Sequence, residues 1–313
     1  MGIVNYLAHI GIMIGIYGIL SLTLNFQYGF TGLVNFGHVA FFALGAYGST
    51  LLVMSGGTHF LVGLIGAFII GGIFGLIISL PTGNLKEDYW AIATLAAAEI
   101  VRLFFVNEGW IYGGPYVAGP FGIRGIPSPW SDVIPTNLYI FFYLGLVAIF
   151  LLITYLFLNF LSNTPFGRVL KAIREGDDLP KALGKNVFSF KARSMGISGA
   201  FAGLAGGLFA HYVSFISPYN FQAIETFIVW AMVVVGGIGN NRGAIAGAAI
   251  VQLFYSSTRF LKDYVPIDSK ILASVRMIAI GLLIVLVMLF WQEGLIKEKK
   301  SEYKNKLKRV SHD

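Results

Sequence analysis

The residues of this sequence that could do chemistry are few, and only some of them have a spacing that can be read. Glu99 and Arg102 lie three apart inside an apolar stretch, which sets them on one helix face and close enough to pair. Arginine at a membrane centre costs about 2.5–3.5 kcal/mol on insertion scales, so such groups should pair or face a cavity. A structural intramembrane ion pair near the outer end of a helix is the favoured reading, with a part in gating or solute contact as the alternative. Asn25, Asn35 and His38 flank a run in which Gly29, Gly32 and Gly37 recur. They can offer hydrogen bonds to a zwitterionic solute, whose carboxylate would suit free N–H groups at a half-helix start. They can equally do no more than satisfy a broken backbone. Gly236 and Gly239 repeat the G-x-x-G spacing ahead of another asparagine, and glycine interruptions in corresponding places of two halves point to a translocation pathway.

Catalytic constellations are lacking. The only Gly-Lys pair is Gly184-Lys185, followed by Asn186, so there is no P-loop to cradle ATP phosphates. Neither H-E-x-x-H nor G-x-S-x-G occurs, and with no cysteine there is no thiolate metal site. A non-catalytic chain without cofactor or metal is expected, with energy supplied by another subunit or by a gradient. No acidic residue stands alone at the centre of an expected span to carry a coupling proton, which weighs against a gradient-driven secondary transporter or channel, the alternative function.

The elements that must position these residues are membrane helices. Of 313 residues, 56% are hydrophobic and 12% charged, against roughly 25% charged in soluble domains. Mean hydropathy is +0.75. A span needs about 20 mostly apolar residues, and the candidates are 3–24, 33–54, 60–80, 89–106, 138–160, 194–213, 227–235, 244–261 and 271–291. The seventh is short and the second rich in glycine. An all-α, polytopic membrane helix bundle of roughly eight to ten spans follows, some broken or re-entrant. The first span lacks a basic flank and a small-residue cleavage site, so it reads as a helix rather than a removable signal. Small residues four apart (Gly11/Gly15, Gly71/Gly75, Gly199/Gly203/Gly207, Gly243/Gly247) mark close helix packing. His9, His59 and His211 fall near span ends and read as interfacial, while Arg276 in the last span can snorkel.

The net charge of +7 does not point to nucleic acid, because the basic residues cluster beside apolar segments. Arg168, Lys171, Arg174, Lys181, Lys185, Lys191 and Arg193 place one loop inside, whereas 107–136 carries only Arg124 and belongs outside. The basic tail, 297–313, is also inside. Counting all nine spans leaves Met1 outside; a re-entrant second segment would leave it inside. The outer loop is dense in proline and glycine (Gly113, Gly114, Pro115, Pro120 among them), irregular backbone that either closes over a pathway or merely connects.

The inside loop, 162–193, carries the mechanism. Asn163 or Thr164 can cap a helix, Pro165 suits its first turn, and Gly176 stops it. Phe166, Val169, Leu170 and Ile173 form one apolar stripe opposite Arg168, Lys171, Arg174 and Glu175. A second short helix follows through Leu183, with Gly184 as its C-terminal cap. Such a pair can lie on lipid headgroups, fill space, or dock into a cytoplasmic partner.

The run from Thr164 to Glu175, with Ala182-Leu183-Gly184 and Phe201-Ala-Gly-Leu-Ala-Gly206, resembles the LivM-type permeases of branched-chain amino acid importers. Leu24-Asn25, Gly29-Phe-Thr-Gly32, Gly37-His38-Val-Ala-Phe41, Asp88-Tyr-Trp-Ala-Ile92, Glu99-Ile-Val-Arg102, Gly113-Gly-Pro115 and Gly236-Gly-Ile-Gly239 are similar to that family too, in its order. Pro180, where a better helix former is expected, and a lengthened Gly-Gly-Pro loop depart from it. The resemblance implies one transmembrane permease domain, 1–296, in a prokaryotic cell membrane, translocating branched-chain amino acids or a similar solute such as urea or an amide. It implies coupling to a cassette ATPase through Phe166, Arg168, Val169, Ile173, Arg174, Glu175, Leu183 and Gly184, the apolar stripe filling a groove of the ATPase. A homologous second permease subunit, two cassette ATPases and an extracytoplasmic solute-binding protein are the implied partners, beside membrane lipid.

Overall fold

Apolar length decides which segments cross. In the computed structural model, which describes residues 2–82, 85, 87–108, 119–264, 274–275, 278–279, 281–282, 285–286, 289 and 294–298, five helices are long and apolar enough to span a membrane. They are α1 (Ile3–Thr31), α3 (Phe60–Thr82), α4 (Glu87–Asn107), α5 (Thr136–Asn163) and α8 (Val187–Val213). Two further apolar helices, α2 (Val39–Met54) and α9 (Ala223–Gly236), have 16 and 14 residues. At 1.5 Å per residue these reach only about 24 and 21 Å, short of a core of roughly 30 Å. The short α6 (Pro165–Glu175) and α7 (Asp178–Ala182) join α5 to α8, and α10 (Asn241–Tyr264) closes the described helices. Much of the last expected span, 271–291, with the Gly113-Gly-Pro115 loop, Arg276 and most of the basic tail, lies outside the described residues.

Several boundaries differ from the sequence reading. The first helix continues through Asn25 and Gly29 to Thr31, because amide side chains at Asn25 and Gln27 find partners inside the bundle. Only Gly32, left-handed at φ 77°, ends it. The second helix therefore starts at Val39, not at residue 33, and α9 starts at Ala223, not 227. The sixth reaches back to Val187, with Asn186 capping Ser189 N–H at 3.1 Å.

Glycine lets the central helices touch by backbone. A methyl group on Gly71 would fall on the Gly199 carbonyl, one on Gly203 on the Ala67 carbonyl, and one on Gly75 on that of Met195, so α3 runs antiparallel to α8. Gly45 meets Gly203, while Gly199 meets Phe41 and Gly207 meets Ser49, so α2 runs parallel to α8 from part-way along it. Gly247 similarly approaches Met232 and joins α9 to α10. The outer faces of α3, α4 and α5 expose large apolar side chains, Ile65, Ile73, Ile100, Leu152 and Phe160 among them, as helices bathed in lipid do.

The short helices are second parts of composite crossings. At the end bearing α6 and α7, α1 stops beside Arg174; residues 32–38, irregular and then a turn at 36–38, lead into the bundle before α2 begins. At the far end, β1 (Ile123–Arg124) pairs antiparallel with β2 (Phe215–Ile216), and residues 217–222 descend before α9 begins. His211 fastens that far end. Fully buried rather than interfacial, it bonds Ser49 Oγ at 3.0 Å and the Pro127 carbonyl at 2.8 Å.

Candidate functional site

The end of α1 and the second glycine-rich break come together, and asparagine joins them. Asn25 Oδ1 accepts from Gly239 N–H at 2.8 Å while its amide donates to Asn241 Oδ1 at 3.1 Å. Gly239 is left-handed at φ 78°, and a side chain there would also strike Arg174 and Glu298. In the first break Asn35 donates to Gln27 Oε1 and accepts from Gly37 N–H, both at 2.8 Å, and its carbonyl accepts from Trp230 Nε1 at 2.9 Å. His38 Nε2 lies 2.9 Å from Thr23 Oγ1. These side chains hold non-helical backbone inside the bundle, which a membrane tolerates only where its polar groups find partners. Gly29 and Gly236 lie in the last turns of α1 and α9 rather than in the breaks themselves.

The helix pair beside them differs from expectation in what it offers. Leu170 is fully buried and Ile173 is 4% exposed, and Phe166 stacks on Phe190 at 5.3 Å between ring centroids. Val169 is half-buried on the same side. The apolar stripe thus packs on the chain's own α1, α5 and α8, and cannot fill a groove in another protein. A stripe says that one face is buried, not by whom. The apolar groups left outward are on α7 and at its C-cap: Leu179 is 66% exposed and Leu183 70%, with Arg168 and Glu175 exposed nearby. Pro180 is accommodated because it falls in the first turn of α7. Gly184 (φ 72°) donates to the Lys181 carbonyl at 2.9 Å and Lys185 to that of Pro180 at 3.0 Å, the two bonds of a Schellman cap.

Arg174 ties this pair to the end of α1 and, through Glu298, to the second break. Its Nη1 donates to the Gly29 carbonyl, and its Nη2 meets both oxygens of Glu298 at 3.1 and 3.0 Å. The segment containing Glu298 is itself bonded to the second break: Leu295 and Ile296 N–H donate to the Val235 and Gly236 carbonyls at 3.0 Å, and Asn240 donates to the Lys297 carbonyl at 2.9 Å.

Glu99 and Arg102 pair within α4, Nε to Oε2 at 2.9 Å, with Arg102 17% and Glu99 45% exposed. A second acid went unnoticed in the sequence. Glu225 sits in the first turn of α9, and its Oε2 accepts from Tyr17 OH at 2.8 Å. Tyr17 is the middle residue of α1, so this carboxylate is at mid-bundle depth, and the expectation that no acid stands there is corrected. Its neighbour Thr226 accepts from Val39 N–H, the start of α2, at 3.0 Å. Glu225 escaped notice because it precedes an apolar run and reads as its water-facing end. Nothing in residues 222–230 themselves signals that depth, which is set by contacts distant in sequence. Among the described residues no group of His, Cys, Asp and Glu could hold a metal ion.

The family model described as branched-chain amino acid transport system permease component matches residues 6–288. The chain is 33% identical to the high-affinity branched-chain amino acid transport system permease protein LivM of Salmonella typhimurium, over 95% of this chain and 71% of that one. It is 29% identical to a probable LivM of Methanocaldococcus jannaschii, covering 95% and 94%, and 25% identical to LivH of Escherichia coli, covering 76% and 80%. No solved structure gives a significant match.

Proposed function

The chain belongs to the family of branched-chain amino acid transport permease components, and from that premise we propose that it is one permease subunit of an ATP-binding-cassette importer. Its solute is a branched-chain amino acid, or a small polar molecule of similar chemistry, handed over by an extracytoplasmic binding protein. It pairs with a second, homologous permease, since relatives named both LivM and LivH are similar to it, and two cassette ATPases drive the pair. As a multi-pass membrane protein it places the α6–α7 end and the C-terminal tail in the cytoplasm. With α1 running toward that end and both composite crossings counted, Ile3 lies outside.

One observation supports this reading: α6 is bonded through Arg174 to the end of α1 and, through Glu298, to the segment held on the second break. Leu179, Leu183, Arg168 and Glu175 contact the ATPase, while Phe166, Val169 and Ile173 bind α6 to the permease. A push on α7 cannot be absorbed locally. It moves Arg174, the Gly29 end of α1 and the 294–298 segment together, and with them the glycine hinges at Gly32, Gly236 and Gly239. Asn25, Asn35 and His38 hold the closed arrangement, so the breaks form a gate at the cytoplasmic half of the pathway. The Glu99–Arg102 pair is structural. Co-purification with a cassette ATPase tests the reading: the complex should survive isolation, and Leu183→Asp should release the ATPase without unfolding the permease. Solute uptake that persists with no ATPase present would overturn it.

A further inference from the structure

The Tyr17–Glu225 pair opens on a cavity of about 290 Å³ between α1, α9 and α10, in the half of the bundle remote from α6. Resting on the importer reading above, we propose that Glu225 is the contact for the protonated amine of the transported solute at the middle of the pathway.

Three features of the cavity support this. Glu225 has no cationic partner among the described residues. Among the described residues its one hydrogen bond is from Tyr17 to Oε2, which leaves Oε1 to accept. A charge kept inside a membrane protein without a counter-ion is costly, and such residues mark solute or ion pathways. Second, the same cavity is walled by Met13, Phe209 and Ile228, which suit an aliphatic side chain, with the Gln252 amide on α10 as a donor for the opposite end of a zwitterion. Its volume is at the small end for ligand sites, as an amino acid requires. Third, the site is connected to the gate. Thr226, next to Glu225, holds the first N–H of α2, and α9 leads from Glu225 to the hinge at Gly236. An ammonium drawn onto Oε1 therefore lies beside the joint of both composite crossings.

The chain contains no cysteine, so a single cysteine at Met13 reports on the cavity without background from this chain, and labelling is read on this chain's band alone. In the full importer complex in nanodiscs, Met13→Cys is labelled with a small water-soluble thiol reagent. The additions are leucine, isoamylamine (leucine without its carboxylate) and isocaproate (leucine without its amine). Leucine and isoamylamine should slow labelling and isocaproate should not. Glu225→Gln should reduce the protection about tenfold or more, the size of a lost charge-assisted bond, and Tyr17→Phe should reduce it less. Equal protection by isocaproate, protection unchanged in Glu225→Gln, or none from leucine in a complex that imports it would overturn the inference. Should Glu225→Gln fail to assemble, the three ligands on the parent Glu225 protein and on Tyr17→Phe still decide it. Leucine uptake by the same complex tests the importer reading separately: no uptake with amine-dependent protection retained overturns the solute, not Glu225.

Discussion

Arg174 and Glu298, 124 residues apart in sequence, meet side by side in a two-bond contact at 3.0–3.1 Å, and the same guanidinium holds the end of α1. Both side chains are a quarter to a third exposed, so the pair is worth only on the order of 1 kcal/mol in stability. Its importance is mechanical. Arg174→Ala should lower solute uptake several-fold while leaving ATP hydrolysis largely intact. Exchanging the charges, Arg174→Glu with Glu298→Arg, should restore uptake only in part, because the Gly29 contact needs the arginine on α6. Uptake and ATPase rates measured on one preparation check this.

Leu183 and Ile173 should separate two roles within one helix pair. Leu183→Asp places a charge where the side chain is 70% exposed, and should abolish ATPase association with little change in thermal stability. Ile173→Ala removes a side chain that is 4% exposed, and should cost about 2–4 kcal/mol of stability. Thermal unfolding of the purified permease, with pull-down of the ATPase, distinguishes the two.

Gly203 admits no side chain, because α3 and α2 both approach it by backbone. Gly203→Leu should destabilise the bundle by about 3 kcal/mol or more. Gly145 on α5 has nothing within 4 Å of an added methyl group, and Gly145→Ala should be neutral or slightly stabilising. Expression level and detergent melting temperature should rank the variants in that order.

Asn25→Ala would leave the Gly239 N–H and the Asn241 side chain without their partner. An orphaned buried donor costs about 1–3 kcal/mol, so a matching loss of stability is expected. Because the bonds cross between the end of α1 and the second break, solute-independent ATP hydrolysis should rise as the closed gate loosens. A hydrolysis assay without binding protein reads this directly.

How much of this was legible beforehand depends on whether the signal is local. Apolar length places α3, α4 and α5 within a few residues, and Pro165, Gly176 and Gly184 mark the ends of α6 and α7, since caps and breakers act on their own turn. Asn25 and Gly29 read as part of a break because polar and small residues look alike in a helix and in a loop. Partners distant in sequence, Gly239 and Asn241, decided for the helix. The stripe of α6 showed that a face is buried but not that α1, α5 and α8 bury it. Glu225 was invisible for the same reason. Its depth is set by Tyr17, 208 residues away.

The most direct measurement is ATP-dependent uptake of radiolabelled leucine into liposomes holding the two permeases and two ATPases, with the binding protein added outside. Uptake should require ATP and the binding protein together, and Arg174→Ala should uncouple it from hydrolysis. Uptake driven by a proton gradient in the absence of ATP, or a normal rate with α7 deleted, would contradict the account.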